Sequence, residues 1–97
     1  MKLEVRDGAV EDLKEMDEQV QRQIRTKMEE LRESPLGENT SLMSKQGLEI
    51  FRLKLKDDEL DHRVFFKLDG RKVVVLGVEH RDDAYTQKSI QRIKARV

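Results

Sequence analysis

At 97 residues the chain has room for one core, so residues 1–97 are read as a single domain and multidomain machinery is excluded. Hydrophobic residues make up 36% despite 41% charged residues, which separates the chain from disordered segments, and one proline with five glycines rules out a linker or low-complexity tract. With no cysteine there is no disulfide framework, zinc–thiolate site, iron–sulfur cluster or thiol nucleophile.

The longest apolar run, residues 73–78, is far too short to cross a bilayer, and the charged amino terminus lacks a signal-peptide core. No membrane association is expected, and a reducing cytoplasm fits. The formal charge is zero but unevenly spread: residues 10–33 hold 5 basic and 8 acidic side chains, net −3, and residues 71–97 hold 7 basic and 3 acidic, net +4. Asymmetry of this kind can serve a partner.

Residues 1–6 alternate, with Leu3 and Val5 on one face and Lys2, Glu4 and Arg6 on the other, the period of a half-buried strand. After Asp7-Gly8 the spacing becomes helical through Val10, Leu13, Met16, Val20, Ile24, Met28 and Leu31. That predicts a helical hairpin or a kinked helix, with Asp17 as N-cap at the junction and an end near Glu33, before Ser34-Pro35. Residues 36–46 read as a loop anchored by Leu42 and Met43.

Residues 48–56 read as a strand whose register breaks near Phe51, predicting a bulge or two-sided burial. Asp57-Asp58-Glu59 is a turn and residues 63–68 the next strand. Asp69-Gly70 signals a hairpin, and residues 72–78 form the most apolar and hence central strand. Phe65 and Phe66 must lie on opposite faces, one of them open to exposure. Asp82 or Asp83 caps a final helix with Ile90, Ile93 and Val97 on one side and Lys88, Arg92 and Arg96 on another. The predicted class is α+β: a small antiparallel sheet, made of the N-terminal strand and a three-stranded meander, packed with an N-terminal helical hairpin and a C-terminal helix.

His62 and His80 lack the spacing of a zinc motif, no glycine-rich phosphate loop exists, and neither metal nor cofactor is expected. More informative is a series of cations on sequential strands: Arg52, Lys54 and Lys56 project from one face, Arg63 begins the hairpin partner, and His80-Arg81 closes the last strand. They read either as a solvated face or as a converging cluster that binds phosphate and stabilises the pentavalent state of phosphodiester cleavage. Tyr85, the only tyrosine, either stacks on an unpaired base or plugs the sheet–helix junction.

Residues 51–56 (FRLKLK), 62–66 (HRVFF), 69–76 (DGRKVVVL) and 78–85 (VEHRDDAY), with the helical segment 13–36 before them, resemble the RelE branch of the RelE/ParE toxin superfamily. The resemblance implies a toxin of a type II toxin–antitoxin pair, a ribosome-dependent endoribonuclease that cuts messenger RNA in the A site. In that chemistry the ribose 2′-hydroxyl attacks the adjacent phosphate without a metal. It further implies catalytic roles for Lys54 as base or charge stabiliser, Arg63 and Arg81 as phosphate ligands, Tyr85 as stacking platform and Arg52 as a further strand cation. Lys56, His80 and Lys88 would add RNA contacts. Arg52 stands where a lysine is common in the family, and a guanidinium scarcely deprotonates. The implied partners are a cognate antitoxin, seated in an apolar groove along residues 10–31 or beside the terminal helix, and the ribosome with its message. The same fold also serves gyrase-poisoning ParE toxins, so a non-nucleolytic ParE-like inhibitor, or a relic that only binds its antitoxin, stays open. Carboxylates at 57, 58, 59 and 61 in the turn either repel RNA or point elsewhere.

Overall fold

A computed structural model describes the chain apart from Glu38, Gln46, Gly47, residues 56–59 and Tyr85, and apart from the side chains of residues 44, 45, 48 and 49. The order of elements is β1 (Lys2–Val5), α1 (Asp7–Lys14), α2 (Glu18–Leu31), β2 (Thr40–Lys45), β3 (Leu48–Lys54), β4 (His62–Asp69), β5 (Lys72–His80) and α3 (Gln87–Ala95). The α+β class and the meander β3-β4-β5 are as expected from the sequence. The sheet has five strands in the order β1-β5-β4-β3-β2, and it is mixed, because β1 runs parallel to β5 while the other pairs are antiparallel.

Several local expectations are corrected. Residues 40–45, expected as loop, pair with β3 from Thr40–Leu53 to Lys45–Leu48; cross-strand bonding overrode a weak polar pattern. Asp17 occupies the N-cap position of α2 but its side chain accepts no capping bond. The final helix is capped by Thr86, whose hydroxyl accepts from the Ser89 amide at 3.2 Å, in place of Asp82 or Asp83. Strand β5 is interior, beside the middle strand β4. At β3 the pairing is regular, so the apolar runs there reflect two-sided burial: Ile50 faces one core cluster and Phe51 and Leu53 pack on the other.

The irregularity lies instead between β4 and β5. Phe66 pairs with Val75 and Phe65 with Gly77, leaving Leu76 as the extra residue of a bulge. One face of the sheet carries Val64, Phe66, Val73, Val75 and Val78 against α1 and α2, through Ala9, Leu13, Ile24, Met28 and Leu31. The other carries Ile50, Phe65, Val74 and Leu76 against Ile90 and Ile93 of α3. Both Phe65 and Phe66 are buried, so neither is left to solvent, and Phe66 stacks on Phe51 with centroids 5.6 Å apart. Gly70, at φ 61°, takes the left-handed first position of the two-residue β4–β5 turn.

The bulge and the short β1 leave backbone groups of β5 unpaired by strands, and two side chains take them. Asp12 Oδ2 of α1 accepts from the Val78 amide at 2.9 Å, and Arg96, just after α3, donates from Nη1 to the Leu76 carbonyl at 3.1 Å. Arg96 and Asp12 also pair with each other at 2.8 Å, largely shielded from solvent. Gly77 makes room for this crossing, since a Cβ there would meet both Ile93 and Arg96.

Removing one partner of so buried a pair leaves a charge and a backbone amide uncompensated. Asp12→Ala is therefore expected to lower unfolding stability by about 3 kcal/mol in urea titration; a loss below about 0.5 kcal/mol would show that the pair is not structural.

Candidate phosphate-binding site

Cross-strand register assembles the cations. Arg52 of β3 lies opposite Phe65, and Lys54 opposite Arg63, on the sheet face that carries α3. Arg63 in turn lies opposite Glu79 of β5, so Lys54, Arg63 and Glu79 form a row across three strands. Lys54 is exposed, Arg52 half-buried and Arg63 buried. An Arg52 Nη donates to Ser41 Oγ of β2 at 3.1 Å.

Arg63 is the centre of the cluster. Burial, then the charges of Arg52 and Arg81, lower its affinity for its proton, while Asp61 opposes them. The Arg52 and Arg81 guanidiniums thus both lie within electrostatic reach of Arg63. Arg63 donates to the His62 carbonyl at 3.1 Å, its Nε is buried without an acceptor, and among the described residues it makes no ion pair. A buried guanidinium fork in that condition, among like charges, suits a tetrahedral or planar anion.

Arg81 follows β5, and its amide donates to the Asp61 carbonyl at 2.7 Å, tying the end of β5 to the start of β4. Its exposed guanidinium lies 3.8 Å from Asp61 and 3.7 Å from Asp82. The acidic turn thus sends at least Asp61 toward the cluster; its residues 57–59 lie outside the described residues, as do Lys56 and Tyr85.

His80 departs from expectation. The bulge puts it opposite His62, on the α1–α2 face and away from Lys54 and Arg63. The two rings meet edge to face at 5.4 Å, and His80 Nδ1 accepts from the Asp82 amide at 3.2 Å. Lys88 is exposed in the first turn of α3. The sequence reading missed two participants, Glu79 and Arg92, which pair between β5 and α3. Their signal was present as a lone acid in an apolar strand and a base on the helix that follows. A hollow of about 170 Å³ opens between the end of α2 and β3, lined by Leu31, Leu53 and Leu55 among others.

The family model for the ParE toxin of type II toxin–antitoxin systems matches residues 3–85. The chain belongs to this toxin family. Its fold is that of RelE toxins. A free-state mutant of E. coli RelE superposes with a TM-score of 0.71 at 20% identity, covering 99% of this chain and 96% of that one. The toxin–antitoxin complex RelBE2 from Mycobacterium tuberculosis gives 0.71 at 18%, covering 82% and 96%, and the archaeal RelE–RelB complex from Pyrococcus horikoshii gives 0.66 at 16%, covering 82% and 93%. No individual curated protein is close enough in sequence to match. The apolar stripe at residues 10–31, one of the two places expected to offer an antitoxin groove, is spent mainly on the sheet; among the described residues the exposed large apolar side chains are Met1, Leu36, Leu42 and Val97.

His62 has its pKa lowered, first by burial and then by His80, with Asp61 opposing. The unfolded chain then binds the proton more readily, so stability should fall as pH drops from about 6.5 through the lowered folded value. His62→Phe is expected to flatten the melting-temperature profile between about pH 7 and pH 5; an unchanged slope would remove His62 as its source.

Proposed function

We propose that the protein is a RelE-like messenger RNA endoribonuclease that acts in the ribosomal A site in the cytoplasm. The observation that carries this reading is Arg63, buried, without a carboxylate partner among the described residues and surrounded by Arg52, Lys54 and Arg81. Arg63 and Arg81 would bind the scissile phosphate and offset the charge that builds on its oxygens as the ribose 2′-hydroxyl attacks. The products would be a 2′,3′-cyclic phosphate and a 5′-hydroxyl end. Lys54, exposed at the mouth of the row, would either take the 2′-hydroxyl proton as the neutral amine or neutralise the developing charge as the ammonium, and as the P–O5′ bond breaks the leaving 5′-oxygen would take a proton from solvent. Arg52, held by Ser41, contributes positive potential and no proton transfer. Tyr85, which precedes Thr86 in the sequence, would stack on a message base for about 1–3 kcal/mol. Lys56 and Lys88 would hold the backbone, whereas His80 lies on the opposite face of the sheet. A cognate antitoxin is the expected protein partner, in line with the complexes that share this fold.

The matched family model favours a second reading, a ParE-like gyrase inhibitor that leaves RNA intact. Induced expression separates the two. Under the nuclease reading the wild type arrests growth with truncated messages and no DNA-damage response. Folded Arg63→Ala and Arg81→Ala variants lose that arrest, with cleavage down on the order of 10²-fold. DNA-damage signalling with intact messages supports the gyrase reading, and a folded Arg81→Ala variant that stays fully toxic refutes the phosphate role of Arg81.

A further inference from the structure

Glu79 is the carboxylate that register places directly opposite Arg63, on the same face of the sheet and buried with it. Directly opposed side chains on antiparallel strands have Cβ atoms about 5 Å apart, and an acid facing a base there ordinarily pairs with it. That pairing is absent. Glu79 Oε1 instead accepts from Arg92 Nη2, reaching in from the middle of α3, while among the described residues the Arg63 side chain donates only to a backbone carbonyl.

We propose that Arg92 is a positioning residue that draws Glu79 toward α3 and so keeps Arg63 open for a phosphate group. The inference rests on the phosphate-site reading above and adds a residue to it. An internal carboxylate competes with any incoming anion at a high effective concentration, because no translational freedom is lost when it binds. Glu79 is close enough to be that competitor, and Arg92 is the group that occupies it. Without Arg92, a buried Glu79 would need another cation, and the facing one is Arg63. Neutralising Glu79 as well removes the competitor.

Inorganic phosphate, titrated at about 0.15 M salt where charges beyond ~8 Å are largely screened, serves as probe, with binding read at the Arg63 Nε–H resonance by NMR. Phosphate is expected to shift this resonance in the wild type. Arg92→Ala should bind about tenfold more weakly, Glu79→Gln/Arg92→Ala should return to within about threefold of wild type, and Arg92→Lys should stay near wild type. Glu79→Gln alone, which keeps Arg92 on α3, should bind no more weakly than wild type and supplies the test if Arg92→Ala unfolds. A crystal structure of Arg92→Ala should show Glu79 on Arg63.

Wild-type affinity in Arg92→Ala, a double variant as weak as Arg92→Ala, weaker binding by Glu79→Gln, or Glu79 still turned from Arg63 would each overturn the proposal while leaving the site intact. No shift of Arg63 in the wild type would overturn the phosphate-site reading itself, and this proposal with it.

Discussion

The extra residue at Leu76 is the constraint on which the arrangement depends. Side chains alternate along a strand with period two, so one inserted residue exchanges the faces for everything beyond it. Before the bulge, Val73 and Val75 serve the α1–α2 core; after it, Val78 does, and Glu79 moves to the α3 face beside Arg63. With unbroken alternation Glu79 would instead share the face of Val73 and Val75, and His80 would take its place in the row. Asp12 and Arg96 stabilise the irregularity by bonding the Val78 amide and the Leu76 carbonyl, and their mutual ion pair links α1 to the end of α3 across β5. Packing, register and site electrostatics therefore share one origin.

The cationic row is destabilising on its own. Burial and two neighbouring guanidiniums act against the charge on Arg63, and few protein groups relieve it. Fold stability has to come from elsewhere: the two apolar layers, the Phe51–Phe66 stack and the tied ends of β4 and β5. Such a division is common where a rigid scaffold holds strained electrostatics for a ligand.

Much of this was legible in the sequence. Alternation in residues 1–6, the apolar runs at 63–68 and 72–78, helical spacing from Val10 to Leu31 and the Asp69-Gly70 turn located the main elements, and placing Lys54 and Arg63 on successive strands anticipated their neighbourhood. The strand at 40–45 was hidden because its pairing partner, not its own composition, holds it in place. The register break at Phe51 reflects two-sided burial, one of the two readings it allows, whereas the bulge occurs at Leu76, inside an all-apolar run where alternation leaves no trace. That is why His80, grouped with the strand cations by sequence, lies on the other face of the sheet, and why the sequence pattern does not mark Glu79 as the residue facing Arg63. A long-range pair such as Asp12–Arg96 has no sequence signature, since only the tertiary fold brings its partners together.

Cleavage of message by the proposed Arg63 cluster is tested by mapping ends with primer extension after adding the purified protein to a reconstituted translation reaction, with and without ribosomes. New ends in A-site register that require ribosomes and disappear with Arg63→Ala are expected. Intact message in the presence of translating ribosomes and folded wild-type protein would refute the nuclease reading.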